Sequence, residues 1–450
     1  MKHRVLLLGL VAAFGLGMMF APFPGQFPLK PAATAQVPPM TEIDRAIGQN
    51  AARMIEEGRR IFRFDTFGDE VWFGDTLKLH QAIEGSRRGG VGPGVSPKTA
   101  LAVGLKVDMD ALPPTVVEQA KAGKVNLDDP EVTLALLKLN AVVGVTGFFN
   151  PDGSLRSFGV QCAFCHSTVD NAFAPGIGHR LDGWPNRDLN VGAVLALAPN
   201  VQAIANLLGV DTATVLKVLN SWGPGKYDAE LNADGKGLRP DGKSAATVLP
   251  AAFGQAGVNL ATYTGWGSVT YWNAYVANTQ MHGVGTFFDP RLSNAAQFPV
   301  ASKIHYGDVR NAPDQITSKL AALHFYQLAI PAPTPPEGSF NKEAAARGQA
   351  LFVGKAQCAS CHVPPLFTEP GWNTHSAAEI GIDDFQASRS PDKRYRTTPL
   401  RGLWAHQKGG FYHDGRFPTL QSVVEHYNRT IKRNLTDQEI LDLVEYLKSL

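Results

Sequence analysis

Two copies of one short pattern stand out in this 450-residue chain, and they use all four of its cysteines. The residues are Cys162, Cys165 and His166 in the first copy, and Cys358, Cys361 and His362 in the second. The C-x-x-C-H spacing is the attachment signature of c-type haem, in which two thiols add to the vinyl groups of the porphyrin. The adjacent histidine then becomes the proximal ligand of the iron. The pattern predicts two covalently bound haems, ligated by His166 and His362.

Other interpretations of the four cysteines explain less. Four thiols could hold a tetrahedral zinc ion, or two C-x-x-C pairs could arise by chance. Neither alternative explains why a histidine directly follows both pairs. Because no cysteine is left over, no structural disulfide is available.

Length, charge and the N-terminal segment define the broad class. A chain of this length favours two or three domains, and 42 basic against 40 acidic residues give no basic surface typical of nucleic-acid binding. Lys2 and Arg4 precede an apolar run over 5–20, and Ala33-Thr34-Ala35 forms an A-x-A cleavage site. These features predict a signal peptide over residues 1–35 and a periplasmic protein without stable membrane insertion. An uncleaved anchor is the alternative.

The helical pattern predicts a mainly α fold with two cytochrome c-like haem domains and loop-rich insertions. A segment around Gly58 (57–62) is echoed around Gly348 (346–352), shortly before the second C-x-x-C-H. We interpret both as the first helix of a haem domain, although two unrelated amphipathic helices would also fit. The Pro-rich segment 331–339 then separates an N-terminal domain (36–330) from a C-terminal domain (340–450).

The C-terminal part resembles a known family. The segments RTTPLRG (396–402) and FYHDG (411–415) are similar to the C-terminal haem domain of bacterial di-haem cytochrome c peroxidases and of the related MauG. In the first domain, His179 with Asn186 and Asn190 resembles the segment that carries the distal histidine of the peroxidatic haem. The stretches after Trp222 and Trp266 are more weakly similar to di-haem rubber oxygenases.

The resemblance implies roles for individual residues. His179 would be the distal ligand of the first haem, with a surface histidine as the alternative. We expect His413 to hydrogen-bond near the second haem rather than to ligate it. A calcium ion held by Asn186 and Asn190 is also implied. The acidic segment 228–241 only half-resembles a calcium loop, and we interpret it as a polar turn.

The chain departs from the family at two points. No methionine follows Met281, so the usual methionine ligand of the second haem is absent. Tyr427 lies fourteen residues after His413 and shares the apolar stripe of its helix, whereas its neighbour His426 is rotated by about 100°. Tyr427 is therefore the predicted sixth ligand and His426 the alternative. No recognisable copy of the family's catalytic glutamine and glutamate is found.

Three functions remain open at this stage. One is a peroxidase that takes electrons from a small periplasmic cytochrome c or cupredoxin and reduces hydrogen peroxide at the first haem. Another is MauG-like or rubber-oxygenase-like oxidation of an organic or protein substrate, with peroxide or oxygen. The third is an electron carrier without its own catalysis. Trp266 and Trp272 are candidate electron relays between the haems, with core packing as the alternative.

Overall fold

The computed structural model describes residues 40–406 and 408–450, so the predicted signal peptide lies outside the described residues. The chain divides into two units, residues 1–48 and residues 49–450. Of the first unit the structure describes 40–48, an exposed segment that includes the start of a helix. No helix among the described residues combines the length and apolar character needed to cross a membrane. The following description concerns residues 49–450.

Helices dominate the described part of the chain. The α-helices are α1 (Glu42–Phe64), α2 (Leu79–Glu84), α3 (Pro97–Ala102), α4 (Pro114–Lys121), α5 (Pro130–Lys138), α6 (Cys162–His166), α7 (Val191–Ala196), α8 (Gln202–Leu208), α9 (Thr212–Trp222), α10 (Leu231–Asp234), α11 (Val269–Tyr275), α12 (Pro299–Lys303), α13 (Leu320–Ala329), α14 (Lys342–Val353), α15 (Phe385–Ser388), α16 (Leu420–Thr430) and α17 (Asp437–Lys448). Two short π-helices span Val71–Thr76 and Val276–Gln280. The predicted mainly helical fold is confirmed.

The strands form small two-stranded sheets. The antiparallel pairs are β2 (Val145–Phe149) with β3 (Leu155–Val160), β4 (Ser167–Val169) with β6 (Arg180–Asp182), β7 (Lys226–Tyr227) with β8 (Thr247–Val248), and β9 (Thr286–Phe288) with β10 (Asp308–Arg310). A parallel pair joins β1 (Val107–Asp108) to β5 (Ile177–Gly178). Strands β3 and β4 flank α6, so they hold the first C-x-x-C-H at both ends.

Two glycines allow close helix crossings. A Cβ atom at Gly58 in α1 would lie 2.0 Å from the carbonyl oxygen of Ala322 in α13. A Cβ atom at Gly348 in α14 would likewise lie 2.0 Å from the carbonyl oxygen of Asp442 in α17. Only glycine permits such an approach of two backbones. The two segments that echo each other in sequence therefore make the same kind of crossing.

Each of the two helix crossings also contains an aromatic pair. Phe62, one turn after the glycine of α1, packs edge-on against Tyr326 of α13 with ring centroids 5.6 Å apart. Phe352 of α14 packs edge-on against Tyr446 of α17 at 5.2 Å. Both phenylalanines are almost fully buried. The matching glycine and aromatic contacts indicate that α1 with α13 and α14 with α17 are equivalent helix pairs.

The buried apolar side chains form separate clusters. The largest extends over residues 61–330, another over 352–447, and a third, aromatic-rich cluster lies within 233–301. The Pro-rich segment 331–339 falls between the first two in sequence. This separation agrees with the predicted domain division, which stays a prediction.

The α14–α17 crossing gives a test of stability. We expect Gly348→Ala to lower the stability of the C-terminal helix pair by about 1–3 kcal/mol, because the added methyl group would collide with backbone rather than with a side chain that can rotate. Thermal and urea denaturation measure the effect. Gln349→Ala, at an exposed position of the same helix, is the control and is expected to be nearly neutral. Equal midpoints for the two variants would contradict the close crossing.

Candidate haem sites

His166 is oriented by a backbone carbonyl. Its Nδ1 lies 3.1 Å from the oxygen of Pro250, and because a carbonyl can only accept, Nδ1 carries the proton. Nε2 is therefore left with its lone pair, as in metal-ligating histidines. Burial lowers the pKa of His166 to about 4, so the ring is neutral.

His362 shows the same arrangement. It follows α14 and a short turn at Cys358–Ser360, and its Nδ1 lies 3.0 Å from the oxygen of Phe367. Burial lowers the pKa of His362 as well. Both motifs therefore present a neutral imidazole whose Nε2 can bind a metal.

Each motif opens onto its own cavity. The first cavity, of about 280 Å³, is lined by Cys162, Cys165 and His166. The second, of about 320 Å³, is lined by Cys358, Cys361 and His362. In each case the two thiols and the imidazole share one cavity with a largely apolar lining, which is what covalent attachment of a porphyrin requires.

Arginines provide a further test of whether haem fits. Arg187 and Arg396 line the second cavity, and neither forms an ion pair with a carboxylate among the described residues. Arg187 donates to the carbonyl of Lys408, and Arg396 donates to the carbonyls of Leu260 and Thr262. Removal from water lowers the pKa of Arg396 to about 10. An unpaired charge in such a place is costly, and the propionate carboxylates of a haem would neutralise it. The donor set therefore fits haem.

The two cavities share a wall. Tyr263 and Arg396 line both of them. Four further residues are shared, namely Pro250, Ala251, Gln255 and Thr262. Tyr263 is the aromatic residue common to both linings in the part of the chain that the structure describes. Its ring also packs edge-on to His413 at 6.4 Å. Tyr263 was not one of the two relay candidates, because it stands in an aromatic-rich stretch whose sequence does not show which ring lies between the cavities.

The two predicted tryptophan relays differ in position. Trp272 lines the first cavity. Trp266 lines neither cavity and packs within the aromatic cluster, 5.5 Å from Tyr275 and 6.2 Å from Phe298. Trp266 therefore has the position that the core alternative describes, and the relay role of both tryptophans stays a prediction. Helix α11 places Trp272 beside the cavity, whereas Trp266 precedes this helix and is buried in the aromatic cluster.

His179 lies apart from both cavities, and its role as a distal ligand stays a prediction. It lies outside the linings of both cavities, and its side chain is 50% exposed with Nδ1 2.8 Å from Asp110. Its backbone N–H donates to Asp170, and this contact fixes the residue at the surface between β5 and β6. The surface alternative describes its position, and His179 is not used as a ligand below.

The calcium ligands implied by the resemblance are engaged elsewhere. The side-chain oxygen of Asn190 accepts from the backbone N–H of Ala193 at the start of α7. The amide nitrogen of Asn186 donates to the carbonyl of Gly104. Calcium binding stays a prediction.

The acidic segment 228–234 is a buried charge cluster rather than an exposed turn. Arg389 contacts Asp228 and Asp234 at 2.8 Å, and all three side chains are fully buried. Glu230 lines the first cavity and is 4% exposed. Its Oε2 has no hydrogen-bond partner among the described residues.

Burial raises the pKa of Glu230 to about 7, opposed by the positive charge of Arg389. A carboxyl group in this state can both accept and donate a proton near neutral pH. No local pattern could have identified Glu230, because Arg389 joins the cluster from more than 150 residues away.

The predicted ligand of the second haem faces its cavity. Tyr427 and His413 both line the second cavity, whereas Nε2 of His426 lies 2.8 Å from the carbonyl of Ile380. Tyr412 also lines this cavity, with its ring 6.1 Å from that of Tyr427. His413 is 3% exposed, and its Nε2 has no partner among the described residues.

Comparison with known proteins first defines the class. Residues 345–450 match the cytochrome c family, so the C-terminal part is a cytochrome c domain. The chain is also 30% identical over 122 residues to the methylamine utilization protein MauG of Methylorubrum extorquens. That alignment covers 24% of this chain and 34% of MauG, so the chain spans about a third of its relative. The predicted likeness to the di-haem cytochrome c peroxidase and MauG superfamily is confirmed.

Two solved structures are more distantly similar. One is a hydrazine synthase chain of Kuenenia stuttgartiensis, with 19% identity, a TM-score of 0.27, and coverage of 52% of this chain and 92% of that chain. The other is a MauG-like protein associated with microbial copper homeostasis, with 16% identity, a TM-score of 0.33, and coverage of 52% and 81%. At these TM-scores neither similarity bears on the fold.

The position of Tyr427 leads to a spectroscopic prediction. We expect Tyr427→Phe to change the optical spectrum and midpoint potential of the second haem, because axial ligand identity moves the potential over a wide range. His426→Phe is the matched neighbour and should leave both unchanged, since its ring is held by Ile380. The reverse result, with His426→Phe converting the iron to high spin, would refute the assignment.

Proposed function

We propose that this protein is a periplasmic di-haem c-type oxidoreductase that reduces hydrogen peroxide at the haem of the first cavity. Electrons enter from a small redox partner, a cytochrome c or a cupredoxin, through the haem of the second cavity. The observation that carries the proposal is the pair of cavities with a shared wall, each lined by one C-x-x-C-H. Haems bound in two cavities that share a wall would be separated by few residues, and this favours electron transfer between them.

Each bound haem supplies an iron that changes oxidation state and can react with peroxide. The protein residues have other tasks. His166 and His362 would hold the irons through Nε2, and their carbonyl partners keep those rings from turning. Arg187 and Arg396 would hold the propionate carboxylates of a haem in the second cavity.

The first cavity is favoured for the reaction with peroxide because it contains Glu230. Cleavage of the O–O bond needs a group that takes a proton from one oxygen and returns it to the other. Glu230 is buried, unpartnered at Oε2, and has a pKa of about 7. It offers a proton-transfer group in a chain whose sequence contains no recognisable copy of the family's catalytic glutamate.

Oxidation of an organic or protein substrate is the second candidate. A row of oxidisable rings leads away from the first cavity. Trp272 at the cavity contacts Trp266 at 5.2 Å, and Trp266 contacts the half-buried Tyr271 at 5.7 Å. Such a row could pass an electron from a substrate outside the cavity. A carrier without catalysis would need neither this row nor a buried, unpartnered carboxyl group.

Haem stoichiometry tests the basis of the proposal. Intact mass after acid–acetone extraction should show two haem additions in the exported protein. A Cys162→Ser/Cys165→Ser variant should carry one, and so should Cys358→Ser/Cys361→Ser. A wild-type mass with one haem or none would refute the di-haem assignment.

Glu230 gives a test of the peroxidase chemistry. We expect Glu230→Gln to slow peroxide-dependent oxidation of a reduced small cytochrome by about 10²–10⁴-fold, the usual contribution of a general acid–base group. Because the carboxylate form accepts the first proton, the wild-type rate should rise as pH increases through about 7. This rise should be absent in the variant.

Asp241→Asn removes an exposed carboxyl group from the same region of the chain and is the control. Haem content and resting spectra should be the same in all three proteins. If Glu230→Gln kept the wild-type rate and pH profile, Glu230 would have no part in the reaction.

A further inference from the structure

Two π-helical turns meet at the first cavity. Short π segments are rare and often mark functional sites. Trp72 belongs to the first of them, and His282 follows closely after the second. Both side chains line the first cavity, and their rings stack with centroids 3.9 Å apart and planes 22° from parallel.

His282 is held on several sides. Its φ of 57° lies in the left-handed region, which residues other than glycine adopt rarely and which concentrates at functional sites. Its Nδ1 lies 3.1 Å from the hydroxyl group of Tyr306. The stack with Trp72 and this hydrogen bond together hold the imidazole ring in one orientation.

The remaining nitrogen of His282 is free. Among the described residues no hydrogen bond is made to Nε2. Burial lowers the pKa of His282 to about 3, so the imidazole is neutral. His166 and His362 also have Nδ1 beside an oxygen atom and Nε2 available, but there a carbonyl places the proton on Nδ1, whereas the hydroxyl group of Tyr306 can accept from Nδ1 or donate to it. Binding of a metal through Nε2 uses the tautomer in which the hydroxyl group accepts. The pattern is that of a histidine whose second nitrogen is fixed by a partner so that the first can bind a metal.

We propose that His282 binds the iron of the first haem through Nε2 as its sixth ligand in the resting ferric protein. The inference rests on the proposed function, because it requires a haem attached at Cys162 and Cys165. It gives the distal position to His282 instead of His179, whose ring is paired with Asp110 at the surface. Peroxide must then displace His282 before it can react.

Met281 is the nearest competitor. It is the adjacent residue, also lines the first cavity, and is 6% exposed. A thioether ligand would be recognised by a sulfur-to-iron absorption band at the red end of the oxidised spectrum. The fixed ring of His282 favours the imidazole over the more flexible methionine.

The test compares optical and electron paramagnetic resonance spectra of the ferric wild type, His282→Ala and His179→Ala. The wild type should show a low-spin first haem. His282→Ala should convert one haem of the two to high spin, and added imidazole should restore the low-spin signal. His179→Ala, which removes the other candidate, should leave the spectra unchanged.

A conservative variant guards against loss of folding. Tyr306→Phe keeps the ring but removes the hydroxyl group 3.1 Å from Nδ1, which accepts the Nδ1 proton when Nε2 binds the iron. It should leave the first haem low-spin and raise its midpoint potential, because the imidazole becomes a weaker electron donor. If His282→Ala does not accumulate, this shift and the wild-type spin state decide the question.

The outcomes separate the ligand proposal from the proposed function. Intact mass of the same samples reports the number of haems, and a single haem would overturn the proposed function itself. Two haems with a high-spin first haem in the wild type would overturn only the ligand assignment. So would a low-spin first haem that persists in His282→Ala, a thioether band, or an unchanged potential in Tyr306→Phe.

Discussion

Close crossing of two helices at a glycine is the constraint on which both halves of the molecule depend. In the C-terminal half, Gly348 brings α14 against α17, and α14 leads directly to Cys358. In the first half, Gly58 brings α1 against α13, but a long insertion separates α1 from its motif. The buried carboxylate of Asp69, just after α1, accepts from the backbone N–H of Val160 at the end of β3. This hydrogen bond holds the end of the insertion close to the end of α1, and the motif follows at Cys162.

The cavities do not follow the division of the chain at 331–339. Gln386 and Arg396, from the C-terminal part, line the first cavity, and Arg187 and Tyr263, from the N-terminal part, line the second. Arg389 joins the two parts through a fully buried ion-pair cluster. Losing one partner of such a cluster would cost about 3–5 kcal/mol, because a buried charge would be left without a counter-charge. The Arg389 cluster thus links the N-terminal and C-terminal parts that both contribute to the shared wall, and both parts lie within the unit 49–450.

Features encoded in short stretches of sequence were predictable. The capping box of Thr436 and Glu439 starts the terminal helix as its spacing indicates, and the apolar stripe of α16 places Tyr427 toward a cavity. Residues that act through distant contacts were not predictable. Glu230 is defined by Arg389, and His282 by Trp72 and Tyr306, each from another part of the chain. His179 shows the converse, since a familiar local sequence does not determine which way a loop turns.

Electrostatics explains why the shared wall and the tryptophan row would behave differently in a redox enzyme. Burial raises the pKa of Tyr263, and the nearest charges that oppose this are the cations Arg187 and Arg396. The phenol therefore keeps its proton, and removing an electron from the buried ring would leave a positive charge in a medium of low dielectric constant, which is unfavourable even where haem propionates neutralise the two arginines. Tyr263 suits a bridge that is not itself oxidised. Trp272 is buried between aromatic rings at the same cavity, where it is the first ring of the proposed row toward Tyr271.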